Sequence, residues 1–529
     1  MISTPSLLLH DNVDYVMLIT TYYTPHRLKD MCVDVNSTRI LGNGVYPFDH
    51  IDQLDDIENI HEWLDRRSFE GLRAIILNCF DYKAGKHLPN FLFRKEVAEK
   101  LDKQDVKYYF PDSDIFNATL ILIAGNVFTV EKDVIVTIGI KSDTVLIVEL
   151  FRQHTGYEIR QKKLVKIEEK DETMNFCKSS GPKQIVIASV SPTFDTAQNI
   201  KELTENLLQY CQNVKTINEN VTFQMPALVK TIYQNMFLES LNNFYIAPAN
   251  CALITVSNEE TLKDVKYALI IAKEYEHLPL KKSCTVLRIF SFFYLSTYED
   301  GLFKLLSEEK SKLDDCHRIK IGLVIDRNNL PSIVQETIMI KEINQLPEKL
   351  SADENIVCPV IGFFDNFSVI CFCDENAGYK FLNSWNGNVG KDLYLNFDQE
   401  NPSLITSLQN DNKRSNVVLI SDLLQLFSMR PDAVEKKDTW NFNIITDSKS
   451  CKLFEFKKLD ETKYEANPME LISLVLESHL KIIKEELGGK MCNKVGFTFF
   501  EQFKFEAKKE LEKNFEEVCK LIKIESCFI

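Results

Sequence analysis

The sequence predicts three successive segments: a mixed α/β domain, a strand-rich, β-sandwich-like domain and a helical tail. Three observations carry this reading. Up to about residue 280, apolar runs of strand length alternate with stretches of helical period. From about 285 to 460, strand-like runs dominate. From about 465 onward the apolar residues again recur at helical spacing.

In the first segment, Tyr15–Thr20 and Leu72–Phe80 are nearly unbroken apolar runs, as strands covered on both faces require. Asn90–Lys103 sets Phe91, Val97 and Leu101 at helical spacing among charges. Val106–Phe110 reads as a strand and Ile115–Ala124 as an apolar helix. Val134–Ile140 and Thr144–Leu150 flank the polar triplet Lys141–Asp143, which predicts a hairpin. Gln184–Ala188 is another buried strand. Helices are predicted over Thr196–Cys211, Leu228–Leu241 and Glu260–Glu274.

In the second segment, strands fall at Ile319–Ile325, Ile333–Lys341, Phe367–Phe372, Asp392–Phe397, Asn416–Ile420 and Asn441–Ile445. The turn Asp447–Ser450 joins Trp440–Thr446 to Cys451–Lys457. One helix, Asp300–Leu313, interrupts the series. In the tail, Asn467-Pro468 opens a helix, with asparagine as cap and proline at the first position. Gly488-Gly489 ends it, and a second amphipathic helix is predicted from about Phe499 to Lys523. The sequence shows no internal repeat.

Composition narrows the function. A chain of 529 residues buries a large core without disulfides or metals. Its 62 basic and 77 acidic residues leave a charge of −15, which argues against a nucleic-acid partner. The most basic run, Arg160–Lys166, reads as a solvated strand edge. The 14 cysteines form no CxxC pair, and only Cys371 and Cys373 lie close together. A thiol-bearing cytoplasmic protein without a metal site is the expectation. The first residues lack the features of a secretory signal. Ala118–Ala124 and Thr285–Leu295 are too short to span a bilayer, and Arg288 interrupts the second, so no membrane partner is expected. Cys527 precedes only two residues and fails the prenylation box.

Glycine is scarce: 17 residues, where average usage of about 7% would give roughly 37. Loops that cradle phosphate need glycine for close backbone approach. Gly387–Lys391 lacks the spacing of a phosphate loop, and Gly42-Asn43-Gly44 is not a dinucleotide fingerprint. His61-Glu62 lacks the second histidine of a zinc helix, and no G-x-S-x-G occurs. Asp55-Asp56 and Asp314-Asp315 read as solvated pairs. No residue is nominated as catalytic.

Several stretches, in the right order, resemble the seventy-kilodalton heat-shock chaperone family. Ile75–Phe80, the helix after it, Val106–Phe110, Pro111-Asp112-Ser113 and the apolar helix through Gly125 resemble the family's segment built around Pro-Ala-Tyr-Phe. Thr137-Ile138-Gly139-Ile140-Lys141-Ser142 stands where the family has Asp-Leu-Gly-Gly-Gly-Thr. Ile187-Ala188-Ser189-Val190-Ser191 stands where it has Val-Gly-Gly-Ser. Val286–Leu295 sits where the family's linker enters its first β-strand. Leu323–Pro331 resembles Leu-Ile-x-Arg-Asn-x-x-Ile-Pro, one residue shorter, and Leu395–Asp398 with Leu404-Ile405 resembles Thr-Phe-Asp…Gly-Ile-Leu. Together these cover about two thirds of the chain.

The resemblance implies an actin-like ATPase-type domain over 1–280, a substrate-binding-like β domain over 285–460 and a helical lid over 465–529. It implies chaperone-like or scaffold-like binding of client polypeptides or co-chaperones. It also locates the missing glycines. The first phosphate hairpin would fall near Asp14–Thr24, where there are none. In the second, Thr137 replaces the aspartate, and Ile140 and Lys141 replace glycines. Gly139, Lys141 and Ser142 remain as the candidate nucleotide-binding residues. Weak or absent ATP hydrolysis and no cofactor are therefore expected. An active chaperone using ATP and Mg²⁺, or an interaction protein unrelated to chaperones, are the alternatives.

Overall fold

The computed structural model describes residues 13–22, 24–41, 64, 69–80, 82, 90–141, 143–190, 197–240, 242–299, 301–312, 315–374, 378–397, 402–406, 417–429, 442–446, 452–457, 463–490 and 492–529. The chain forms two compact units: Met1–Cys284 with Phe292–Glu309 and Gly322–Val334, and Thr285–Ser291 with Lys310–Ile321 and Gln335–Ile529. It is a mixed α/β protein with a strand-rich stretch, as the sequence predicts at that level.

In the first unit, β1 (Tyr15–Tyr22), β2 (Thr24–Asp34), β3 (Leu72–Asn78) and β4 (Tyr108–Tyr109) form a sheet in the order β2-β1-β3-β4. β1 runs antiparallel to β2 and parallel to β3, and β3 is parallel to β4. The helices α1 (Asn90–Lys103) and α2 (Ser113–Ala124) follow β3 and β4. A second sheet joins β5 (Val134–Ile140), β6 (Thr144–Arg152) and β7 (Tyr157–Lys166) to β8 (Gln184–Ser189) and β9 (Val214–Ile217). Between these strands lie α3 (Lys170–Ser180) and α4 (Ala197–Leu207), and α5 (Met225–Phe237) follows β9. The order is β7-β6-β5-β8-β9, antiparallel through β5 and parallel beyond it. The two sheets thus share one plan: a hairpin leads, and parallel strands add on its other side.

Burial follows from sequence. In β5, Ile135, Val136 and Ile138 are all fully buried, because helices cover both faces. Ile135 packs with Ile121 of α2, whereas Ile138 and Ile140 pack with α3 and α4. The first of these cores also holds Val16 and Ile76 of the first sheet and Leu228 and Val229 of α5. Each such side chain contributes about 1.5–3 kcal/mol. α2 begins where Asp112 accepts hydrogen bonds from Asp114 N and Ile115 N at 2.7 and 3.4 Å.

Seven strands follow: β10 (Leu253–Ser257), β11 (Ile270–Ala272), β12 (Leu280–Leu287), β13 (Phe292–Glu299), β14 (Leu302–Lys310), β15 (Arg318–Ile325) and β16 (Pro331–Ile338). They pair as β11-β10-β13-β14 and β12-β15-β16. The strand-rich stretch therefore begins near 253, not 285. The helix expected over Glu260–Glu274 is a short 3₁₀ turn at Val265–Tyr267 followed by β11. The helix expected over Asp300–Leu313 is β14. Leu302, Leu305 and Leu306 mimic a helical stripe there, but pairing with β13 decides the outcome.

In the second unit, α6 (Lys341–Asn344) and α7 (Leu346–Ser351) precede β17 (Val360–Phe364), β18 (Phe367–Asp374) and β19 (Gly378–Phe381). Short strands follow: β20 (Lys391–Asp392), β21 (Tyr394–Asn396), β22 (Ser403–Ile405), β23 (Val417–Leu419), then α8 (Ile420–Phe427), β24 (Asn443–Thr446), β25 (Lys452–Lys457) and β26 (Lys463–Ala466). The tail holds α9 (Pro468–Glu486), β27 (Lys494–Phe499), α10 (Phe505–Leu521) and β28 (Glu525–Phe528). Asn467 caps α9 as predicted, accepting from Met469 N at 2.9 Å.

The helical lid expected over 465–529 is corrected. β27 and β28 complete a sheet ordered β19-β18-β17-β27-β28, parallel from β17 onward. Ile361 and Phe363 of β17 share one core with Leu471 and Val475 of α9 and Leu511 and Phe515 of α10. These helices cover the sheet and are not a separate element. The strand plan of β5–β9 is thereby repeated in the second unit. Among the described residues, no helix is long and apolar enough to cross a membrane.

Candidate functional site

Of the predicted nucleotide residues, Gly139 lies near the end of β5 and Lys141 just beyond it. Gly139 pairs with Leu146 and Ala188. A Cβ there would meet Ile121 and Val190 at 3.4 Å, an ordinary van der Waals contact, so apolar side chains line the space beside it. Val190 N donates to Ile140 O at 3.0 Å, which closes the end of β8 against β5. Lys141 N donates to Thr144 O at 2.9 Å and closes the turn. Ile140 is fully buried in the core with α3 and α4. The structure therefore brings Gly139 and Lys141 together. Ser142 lies outside the described residues, as do Gly42-Asn43-Gly44, Asp55-Asp56 and His61-Glu62.

Thr137 stands where the resemblance places an aspartate. It is 1% exposed, and its Oγ1 has no hydrogen-bond partner among the described residues. A carboxylate at this position would be buried away from water, which is costly for a charge.

The Arg-Asn…Leu-Pro stretch has a different role, one the resemblance did not predict. Asp326–Leu330 turns β15 into β16, with Asp326 Oδ1 accepting from Asn328 N and Leu330 N at 2.9 Å each. Asn329 adopts φ 54°. Its side chain accepts from Cys251 N at 3.1 Å and donates to Ala249 O at 3.1 Å. Asn328 Oδ1 accepts from Phe110 N at 3.0 Å. The buried Arg94 donates to Asn328 O and Asn329 O at 2.9 and 3.2 Å and stacks 3.9 Å over Phe80. Burial lowers the Arg94 pKa, yet a guanidinium stays charged. Backbone amides that would otherwise be orphaned are satisfied by this turn.

Two sites in the second unit escaped sequence reasoning. Arg288 is 6% exposed. It donates to Asp392 Oδ1 at 2.9 Å, Cys316 O at 2.8 Å, Val389 O at 2.9 Å and Gly390 O at 3.3 Å. Burial holds the Asp392 carboxyl above its ordinary value despite the pull of Arg288. The pair borders a cavity of about 560 Å³ whose walls include Asn383, Ser384, Asn386 and Lys391. Arg288 and Lys391 balance Asp315 and Asp392 in this wall, and the amides and the hydroxyl add neutral donors and acceptors. The signal was present: Arg288 is the lone charge in Thr285–Leu295.

The other site is a serine–histidine pair. Ser368 Oγ donates to His479 Nε2 at 2.7 Å, and His479 Nδ1 donates to Val475 O at 2.7 Å. Trp385 Nε1 donates to Ser368 Oγ at 2.9 Å. The order resembles a nucleophile and its base. Ser368 and His479 are both fully buried, so no substrate reaches them. Burial pushes the His479 pKa down to about 4. The network satisfies polar groups in a dry core.

No protein-family model matches the chain, and no curated protein matches it.

Proposed function

We propose that this chain is a divergent relative of the seventy-kilodalton heat-shock chaperones that binds polypeptides, chaperone-like or scaffold-like, with weak or absent ATP hydrolysis. The observation that carries this reading is the shared strand plan of the two sheets of the first unit, with α2 and α5 in their common core, followed by the seven strands β10–β16. That order supports an actin-like scaffold followed by a peptide-binding type of β region. The apolar surroundings of Gly139 and the Thr137 Oγ1 without a partner among the described residues support a nucleotide site that has decayed. In such a β region, an extended client is held through backbone hydrogen bonds and apolar pockets. A cytoplasmic location belongs to the same reading.

The test is a pair of titrations on the full chain. Millimolar Mg-ATP is expected to leave the melting temperature unchanged. A clear upward shift would overturn the decayed site in favour of an ATP-dependent chaperone. A reduced, alkylated and permanently unfolded polypeptide is expected to bind by fluorescence anisotropy. A flat titration would overturn the chaperone reading and leave an unrelated interaction protein.

A further inference from the structure

β14 is the terminal strand of the sheet β11-β10-β13-β14, so one of its edges carries backbone donors and acceptors with no strand partner among the described residues. Natural edges of this kind are blunted by proline, bulges, short length or charged side chains, and β14 carries only the last, as Lys304, Glu308, Glu309 and Lys310. β14 has nine residues, without proline or glycine. Neither of its faces is well covered: Leu302 is 68% and Leu305 42% exposed, and Tyr298 beside it is 43% exposed.

We propose that β14 pairs edge to edge with β14 of a second copy of this chain, antiparallel about a two-fold axis at Leu306. Charge selects this occupant and this register. A two-fold perpendicular to the sheet keeps opposite residues on one face only when it passes through a residue. Centred on Leu306, it sets Lys304 opposite Glu308 of the second copy, twice. Centred on Leu305 it sets Lys304 against an apolar Leu306, and centred on Ser307 it sets Lys304 against Lys310. Only the Leu306 register pairs Lys304 with an opposite charge. Lys304 already lies 3.0 Å from Glu299, so the dimer places it between two carboxylates. Pairing also covers part of Leu302 and Leu305.

The test is sedimentation equilibrium of the full chain at about 0.15 M salt, from 1 to about 200 µM. A concentration-dependent dimer is expected. Lys304→Glu and Glu308→Lys should each weaken it about tenfold, because two attractive pairs become repulsive. The double variant, which restores opposite charges, should recover dimerisation. Hydrogen exchange gives a second readout on the unaltered chain: amides of 302–309 should gain protection as concentration rises. A monomer throughout the range, a dimer that neither single change weakens, or β14 exchange independent of concentration overturns the proposal.

Discussion

The β5–β9 sheet and the β17–β19, β27–β28 sheet share a strand order but differ at the tip of the leading hairpin. In the first, the Lys141–Asp143 turn leads from Ile140 to Thr144, and β8 closes on it through Val190. In the second, Phe364 pairs directly with Phe367, leaving a two-residue turn of Asp365 and Asn366, with Asp365 at φ 46°. Arg318 seals that turn with two bonds to Asp365, at 2.6 and 2.7 Å. Asn366 Nδ2 is buried without a partner among the described residues. One strand plan thus carries two solutions. The first tip is lined by the apolar side chains of Ile121 in α2 and Val190 just beyond β8. The second is pinned by an ion pair, with buried polar networks nearby. Neither tip keeps the open, glycine-lined approach that a phosphate needs.

The largest effects are expected in the second unit. Arg288→Leu should cost about 3–5 kcal/mol, since it strands Asp392 and three carbonyls in a buried site. Urea denaturation checks this, with hydrogen exchange showing the loss confined to the second unit. Gly390→Ala should cost roughly 3 kcal/mol, because Gly390 has φ 71° and a Cβ there would lie 2.2 Å from Ser368 O. A change below about 1 kcal/mol would refute this close approach.

Acid comes next. His479 titrates at about 4 when folded, against about 6.5 unfolded, so the unfolded chain binds the extra proton between these values. Its contribution is complete above pH 6.5 and is lost as pH falls toward 4, about 3 kcal/mol in all. Denaturation curves at pH 7 and 4.5 should show the drop, and His479→Gln should flatten it. His317 acts in the same direction, because burial lowers its pKa while Nδ1 accepts from Ile340 N.

The first unit should respond least. Thr137→Val is expected to raise stability by about 1 kcal/mol, since it removes a buried hydroxyl with no partner among the described residues. A loss above 1 kcal/mol would show that the hydroxyl is in use. Gly139→Ala should change stability by less than about 1 kcal/mol, because 3.4 Å is ordinary van der Waals contact. Mg-ATP should protect neither variant.

Much of the first unit was legible because local and tertiary preferences agree. Asn90–Lys103 is a helix residue for residue, and Val134–Ile140 a strand, since each pattern matches the faces the fold covers. The misses are segments where pairing overrode a helical-looking pattern. Lys494–Phe499 stood just before an amphipathic helix, and its strand exists because β17 accepts it in parallel. The candidate site was legible only in part. Gly139 and Lys141 were placed at a hairpin tip, but nothing local indicated that Ile121 of α2 sits over it. Arg288 and His479 take their meaning from partners 104 and 111 residues away.

By itself the sequence determined the class of the protein: mixed α/β with a strand-rich stretch and a shortage of glycine where phosphate loops would need it. Periodicity and turn chemistry are local, so they survive without knowledge of partners. Only the tertiary structure decided that the tail belongs to a third sheet of the same plan. Only it showed that a turn resembling a family signature serves to dock β15 and β16, and that β14 is left as an edge. Strand pairing and burial join residues far apart in the chain, and no short window of sequence contains both partners.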